Sequence, residues 1–136
     1  MSKRLDENIG TVDYDGLIVT NEPVADVFTV TIRKEASAEA TLKRGTVLAL
    51  SGGTAGDGKM VALGTTAKSN ETLTANAILC DDTKVGTDAD VEATAYRTGH
   101  FARNKLIFSG SSYTLKPADE EALRAAGILL SDALDY

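Results

Sequence analysis

The sequence predicts a mainly β fold: a small β-barrel or clip with one short C-terminal helix and a mobile N-terminal arm. Three observations lead to this prediction. Between Thr46 and Phe108 the chain consists of short apolar segments of three to seven residues, separated by glycine, aspartate and other turn formers. In residues 27–33 apolar and polar side chains alternate, as they do in a half-buried strand. Near the end of the chain, a proline, three acidic residues and then a glycine mark out a short helix.

Residues 1–16 are predicted to form the flexible arm, and residues 17–136 a single β-rich domain. The arm mixes both charges and shows neither helical nor strand periodicity. Its apolar residues are spaced along the arm, and they are Leu5, Ile9, Val12 and Tyr14. Because a solvated tail does not need them, they are candidate binding residues that could order as an added strand on a partner's sheet edge. A plain disordered terminus is the alternative interpretation.

The clearest predicted strand is residues 27–33, in which Phe28, Val30 and Ile32 point inward. It follows a short apolar run at residues 17–19 and a turn. The next segment, residues 34–41, contains helix-forming alanine and glutamate but has only eight residues. A helix this short is marginal, so a loop or one helical turn is expected there.

Residues 46–50 and 59–63 are predicted to pair as a hairpin across the glycine-rich loop 51–58. In this loop Asp57 and Gly58 are expected to take the positive-φ positions of a tight turn. The loop lacks the Gly-Lys-Ser/Thr ending of a phosphate-binding loop and does not open a helix, so it indicates a hairpin connection.

Further strands are predicted at residues 77–80, 91–97 and 106–108, with a weaker one at 71–75. Alternation over residues 91–101 assigns one face the residues Val91, Ala93, Ala95, Arg97, Gly99 and Phe101. The opposite face is mixed and includes Tyr96 and His100. Small residues along a strand allow another segment to approach closely, which favours a compact barrel or clip over a wide sandwich.

The C-terminal helix is predicted to begin at Pro117, whose missing N–H does no harm at the first helical position. The acidic residues 119–121 lie at the positive end of the helix dipole, and Gly127 ends the helix. Its expected buried stripe consists of Ala118, Ala122, Leu123 and Ala126. Residues 128–130 are expected to run back against the sheet.

Charge and hydropathy exclude several classes of partner. With 136 residues, a formal charge of −6 and a pI near 4.7, the chain has the wrong sign for gripping nucleic acid by its phosphates. It contains no apolar run long enough for a membrane span and no apolar signal region at its start. We therefore expect no nucleic-acid or membrane partner, and synthesis in a cytoplasm.

No catalytic, cofactor-binding or metal-binding residues are expected. His100 and Cys80 are the single histidine and cysteine, and Cys80 ends an apolar strand, where an inert buried thiol is usual. One residue of each kind cannot form a structural zinc site. The acidic residues that follow Cys80 are Asp81, Asp82, Asp88 and Asp90. Their spacing misses the calcium-loop pattern, so a solvated loop is predicted.

Several segments carry a family resemblance in their order along the chain. They are residues 42–49 (LKRGTVLA), 77–82 (AILCDD) and 96–101 (YRTGHF), with 14–18 (YDGLI) upstream and 123–128 (LRAAGI) near the end. This ordered set resembles the bacteriophage head decoration protein family, whose best-known member is the lambda head protein D. The resemblance covers about the last two-thirds of the chain.

The resemblance implies a β-tulip-like structural protein without enzymatic activity. It implies a homotrimer that binds the major capsid protein on the outer surface of the virion, at local three-fold positions, and stabilises the mature head. An aromatic content of 5% and the absence of tryptophan also favour an oligomer, because they thin the core. Residues 93–99 are candidates for the trimer contact. The alternative is a small β-barrel binding module or enzyme accessory domain with an unknown ligand.

Overall fold

The computed structural model describes residues 16–20, 22–110 and 112–132. The described residues form nine strands, one 3-10 turn and one α-helix. In chain order these are β1 (Ile18–Thr20), β2 (Asp26–Ile32), β3 (Ala40–Leu42), β4 (Val47–Gly52), β5 (Met60–Ala62), β6 (Thr72–Leu79), β7 (Thr83–Val85), β8 (Val91–Ala102), the 3-10 turn (Arg103–Lys105), α1 (Pro117–Ala126) and β9 (Ile128–Ser131). None of the described helical residues belongs to a helix long and apolar enough to cross a membrane.

Five strands close into a barrel in the order β2, β5, β4, β6 and β8, with β8 returning to β2. Most neighbours are antiparallel, and the longest ladder joins β2 to β8. The closure between β2 and β5 is parallel and short, since it rests on the pairing of Ile32 with Met60. The predicted mainly β barrel with one short C-terminal helix is therefore confirmed.

Two smaller sheets extend the barrel. The second half of β8 leaves the barrel and is flanked by β1, antiparallel, and β9, parallel. We call these three segments the flanking sheet. A separate two-stranded ribbon forms between β3 and β7. The sequence predicted a loop or one helical turn over residues 34–41, where β3 begins, and a solvated loop at the position of β7. Both strands were missed because each has three residues and pairs with a segment about forty residues away.

An inner core fills the barrel, and all five barrel strands contribute to it. Its buried residues are Val30, Ile32, Leu48, Met60, Ala77, Leu79, Val85 and Ala95. Phe28 is half-buried against them, so the predicted inward face of β2 is confirmed. Ala93 and Ala95, two of the residues expected as candidates for the trimer contact, also belong to this packing.

An outer core lies between the barrel and the C-terminal elements. Its buried members from the barrel are Val47, Ala49, Val61, Ala75, Ile78 and Tyr96, and from outside the barrel Leu17, Leu63, Phe101, Leu123 and Ile128. The helix packs against β6 and β9. Because β4 and β6 supply residues to both cores, they are buried on both faces along much of their length.

The predicted faces of β8 are correct only up to its middle. Val27 pairs with Tyr96 whereas Asp26 pairs with Thr98, so Arg97 is an extra residue without a partner on β2. This β-bulge reverses the inside–outside alternation that follows it. Tyr96 and Phe101, predicted on opposite faces, consequently lie in the same core with ring centroids 5.1 Å apart.

Four predicted segments have different boundaries or conformations. The prediction of a strand at residues 106–108 was wrong, since only an isolated bridge joins Thr46 and Ile107. The segments predicted at 71–75 and 77–80 form the single strand β6, which has an irregular register opposite Leu48 and Ala49. In the hairpin loop, Gly58 has φ 73° as expected, but Asp57 does not have a positive φ.

The helix begins at Pro117 and ends before Gly127, whose φ of 113° stops it as predicted. Its buried face is narrower than predicted, because Leu123 is buried, Ala122 is half-buried, and Ala118 and Ala126 are exposed. Leu123 is the only fully buried residue of the described helix, so the predicted alanine stripe extends past the buried face.

Candidate functional site

The predicted binding residues Leu5, Ile9, Val12 and Tyr14 lie outside the described residues. The structure does show where the segment that carries them joins the body. Leu17 is buried in the outer core, and its carbonyl accepts a hydrogen bond from the N–H of Ala102 at 2.8 Å. A Cβ placed on the preceding Gly16 would lie 3.5 Å from the side chain of Lys105. We call Gly16, Leu17 and β1 the arm root.

His100 connects the two outer strands of the flanking sheet. Its Nδ1 lies 3.2 Å from the hydroxyl of Thr20 in β1, and its Nε2 lies 2.8 Å from the hydroxyl of Ser131 in β9. The next residue, Asp132, forms an ion pair with Arg103 at 2.7 Å, and Arg103 also binds Glu120 of the helix. The arm root is thus bonded to β8 through His100, and His100 is bonded in turn to β9 through Ser131.

A groove opens beside the arm root. A Cβ on Gly45 would lie 3.2 Å from the carbonyl oxygen of Lys105, so these two segments run side by side. Their continuations, Thr46 and Ile107, line a cavity of about 260 Å³ together with β3. Ile107 is 39% exposed on the wall of this cavity. We call this cavity the arm-root groove.

A second cavity, of about 910 Å³, lies next to the arm-root groove. The two share four lining residues, which are Glu35, Leu42, Ala62 and Thr65. The larger cavity has walls of both charges, and across it Lys59 is paired with Asp90 at 2.5 Å. The larger cavity lies at the β2–β5 closure, since Ile32 lines it and pairs there with Met60 in the only β2–β5 pairing of the described residues.

A polar cluster beside the larger cavity holds the hairpin loop, and two of its residues, Arg33 and Asp57, line that cavity. The guanidinium of Arg33 donates to both carboxylate oxygens of Asp57, at 2.9 and 3.1 Å, to the hydroxyl of Ser51 at 3.0 Å, and to Glu71. The carboxylate of Glu71 also accepts from Ser51 and from the N–H of Lys68. We call Arg33, Ser51, Asp57 and Glu71 the arginine cluster.

The arginine cluster favours the ionised form of its carboxylates. The backbone N–H of Lys68, the Ser51 hydroxyl and the Arg33 guanidinium lower the pKa of Glu71 to about 2. The same guanidinium lowers the pKa of Asp57 well below its usual range, and Asp57 in turn raises that of Arg33. Because every carboxylate here accepts several donors, the cluster serves to fix the loop and leaves no poised acid or base.

Cys80 and His100 have separate sets of partners. Cys80 is half-buried and not fully buried as predicted, and its sulfur lies 4.0 Å from Nη1 of Arg44. The same nitrogen donates to the Tyr96 hydroxyl at 2.6 Å. Burial is the main cause that raises the pKa of Tyr96. Tyr96 is therefore held protonated, with its hydroxyl bonded to Arg44. His100 bonds instead to hydroxyl groups on the flanking sheet.

The acidic residues after Cys80 have different partners and do not converge. Asp82 accepts from the N–H of Arg44 at 2.7 Å, and Asp90 accepts from the N–H of Lys34 at 2.9 Å. Asp81 and Asp88 are exposed. Among the residues that the structure describes, no group of three potential ligands could hold a metal ion.

Sequence reasoning missed the arm-root groove and the arginine cluster. Ile107 belongs to an apolar run that is typical of a strand, so its exposure could not be read from the sequence. Arg33 meets Asp57 and Glu71 across 24 and 38 residues of chain, a separation that leaves no local pattern.

One comparison with known protein families gives a match. A family model described as bacteriophage lambda head decoration protein D matches residues 8–131. The matched region includes every described strand and the helix. No curated protein sequence matches the chain.

Proposed function

The chain belongs to the bacteriophage lambda head decoration protein D family, and we propose from this that it is a non-enzymatic cement protein of a phage head. It binds the major capsid protein on the outer surface of the mature capsid, as homotrimers at local three-fold positions, and stabilises the shell. The family match over residues 8–131 is the observation that carries this proposal.

The structural features of the body support a binding role. Polar side chains of the body bond to one another and join distant segments. Examples are the arginine cluster, the Arg44–Tyr96 pair and the His100 bonds. These contacts make a rigid body from short strands, which suits a protein that bridges neighbouring capsid subunits. Assembly on a shell made in the host cytoplasm is consistent with a single unpaired cysteine.

The arm contributes the attachment that is made only on the capsid. Leu5, Ile9, Val12 and Tyr14 add to the edge of a capsid sheet, where backbone hydrogen bonds form together with apolar contacts. The arm root fixes the point from which this segment starts, since β1 is paired with β8 and Leu17 is buried. Three arms on one trimer act together, so each attachment gains from the effective concentration that the others set.

The test is a co-sedimentation assay with procapsids and expanded capsids of the phage, each lacking this protein. We expect saturable binding to expanded capsids in multiples of three copies, a raised thermal stability of the shell, and a trimer by light scattering. Deleting residues 1–15 should leave the body folded and trimeric but abolish decoration. Absence of binding by the full-length chain to either particle would refute the proposed function.

A further inference from the structure

The flanking sheet has one face turned away from the outer core. Its core side carries Phe101 of β8 and Ile128 of β9, which are both buried there. Because successive side chains of a strand point to opposite faces, His100 and Leu129 lie on the other side, where they are paired across β8 and β9. Two hydroxyl side chains bonded to His100 lie on this side as well. We call this set the outward face, and its residues are Thr20, His100, Leu129 and Ser131.

The polar side chains of the outward face are already hydrogen-bonded within the chain. The two ring nitrogens of His100 bond to the hydroxyls of Thr20 and Ser131, at 3.2 and 2.8 Å. The Thr20 hydroxyl also bonds to the carbonyl of Glu22 at 3.0 Å. Burying a polar group is costly mainly when it loses a hydrogen bond without gaining another. A partner can therefore cover this face at a small cost in desolvation.

Two exposed aliphatic side chains supply the apolar part of such a contact. Leu129 lies on the outward face and is 39% exposed, and Val24 is 69% exposed, more than any other large hydrophobic residue that the structure describes. The carbonyl of Val24 accepts from the hydroxyl of Thr98 at 2.7 Å, so Val24 is held against β8 two residues before His100. Apolar groups on a fixed backbone lose little entropy when a partner covers them.

The charges around the outward face are nearly balanced. Helix residues border it, since Glu120, Glu121 and Arg124 line a cavity of about 340 Å³ together with His100 and Leu129. Among the described acidic residues in this area, only Glu22 has no basic partner. The ion pairs are Glu120 with Arg103, Glu121 with Arg124, Asp26 with Arg97, and Asp132 with Arg103.

This balance favours a second copy of the chain as the partner. Each copy has a net charge of −6, so two copies repel each other through most of their surface. The repulsion is weakest where the two surfaces carry little net charge of their own. The outward face combines that property with exposed aliphatic side chains and with polar groups that need no new partner.

We propose that the outward face, through Leu129 and with Val24 beside it, is a contact between copies of this chain in the homotrimer. The inference rests on the proposed function and locates the contact which that function requires. The sequence suggested residues 93–99, but Ala93 and Ala95 pack in the inner core, and the outward face begins further along β8. A stable interface buries about 800 Å² on each partner, so the surrounding ion pairs form its polar rim.

The experiment measures the oligomeric state of the full-length protein in the absence of capsids, by sedimentation velocity over a range of concentrations. Leu129→Glu places a carboxylate of every copy in the proposed contact. Ile107→Glu is the matched control, because Ile107 is also 39% exposed but lies outside the outward face. Leu129→Ala and Val24→Ala remove apolar contact without adding charge. Circular dichroism and thermal melting check that each variant is folded.

We expect wild type and the Ile107→Glu variant to be trimers. For Leu129→Glu, the concentration at which half of the chains are assembled should rise at least roughly tenfold, and the alanine variants should change it in the same direction by a smaller factor. Unchanged assembly of the Leu129→Glu variant, an equal loss in the Ile107→Glu variant, or a monomeric wild type would each overturn the inference.

Co-sedimentation with expanded capsids separates a contact between copies from a contact with the capsid. A Leu129→Glu variant that stays trimeric but no longer decorates capsids would show that the outward face binds a capsid subunit, and it would overturn the inference. The proposed capsid binding is decided separately by wild type, because failure of wild type to bind capsids refutes that function and not the contact between copies.

Discussion

The inner and outer cores are built from the same kinds of side chain but are assembled in different ways. The inner core comes almost entirely from alternating positions on five barrel strands, with Val85 of β7 added at one end. The outer core joins the barrel to segments from both ends of the described chain, among them Leu17, Phe101 and Ile128. The inner core therefore defines the barrel, and the outer core fixes the arm root to it.

We therefore expect the inner core to govern folding of the barrel and the outer core to govern how the arm root is held on it. Leu17, which precedes β1, is buried in the outer core, whereas the five barrel strands β2, β4, β5, β6 and β8 pair directly with one another. The predictions below test whether the two cores are independent units.

The largest effect is expected from Phe101→Ala. Phe101 is fully buried in the outer core beside Tyr96, so its truncation should cost about 3–5 kcal/mol of unfolding free energy. Native-state hydrogen exchange should show amides of β1 and α1 losing protection before those of β2 and β4.

The matched variant for that prediction is Leu48→Ala in the inner core, expected to cost about 2–5 kcal/mol and to affect all protected amides together. If Phe101→Ala instead lowers protection uniformly, the two cores form one cooperative unit and the comparison fails.

The next effect concerns the arginine cluster and pH. The pKa of Glu71 is lowered to about 2 in the folded protein, against an ordinary value of about 4.3. The ionised form is favoured by folding, so its contribution is complete above about pH 4.5 and is lost as the pH falls toward about 2. Glu71→Gln should lower the melting temperature near neutral pH, by less than the core truncations do.

The two melting curves should converge near pH 2, where Glu71 becomes protonated in wild type. A constant difference across this range would mean that the substitution acts through shape and not through charge. Asp57→Asn provides a more exposed comparison, because the Asp57 side chain is 32% exposed and its pKa is lowered chiefly by Arg33, with a further hydrogen bond from the N–H of Lys59 at 3.0 Å.

A smaller effect is expected where the helix meets β9. Gly127 has φ 113°, and a Cβ there would lie 3.0 Å from a methyl group of Thr98. Gly127→Ala should cost about 1 kcal/mol or more, since alanine rarely adopts this conformation. Gly86→Ala is the control, because a Cβ at Gly86 meets no atom within 4 Å and its φ is not positive. Equal melting temperatures for both variants would contradict the expected strain.

The smallest effect is expected for Cys80→Ser at the border of the outer core. Cys80 is half-buried, and a serine hydroxyl can still meet Arg44, so the change in unfolding free energy should stay below about 1 kcal/mol. Capsid binding should be unchanged, as it should be for His100→Ala apart from effects on folding. Loss of binding by a folded Cys80→Ser variant would reveal a role for the thiol.

The sequence by itself determined the elements that depend on local rules. Alternation predicted β2 with its inward face, and the hairpin strands β4 and β5 were predicted from apolar runs around a glycine-rich loop. Pro117 and Gly127 set the ends of the helix, because each restricts the backbone at its own position. The candidate binding residues of the arm were chosen only from the apolar side chains spaced along residues 1–16, and their role stays a prediction.

Only the tertiary structure decided the remaining features. The bulge at Arg97 reverses the faces of β8, because its register depends on pairing with β2 about seventy residues earlier. The β3–β7 ribbon, the arginine cluster and the exposure of Ile107 likewise depend on which distant segments become neighbours. Local periodicity reports which way a side chain points on its own strand. It does not report which partner lies there, and the groove beside the arm root exists only through those partners.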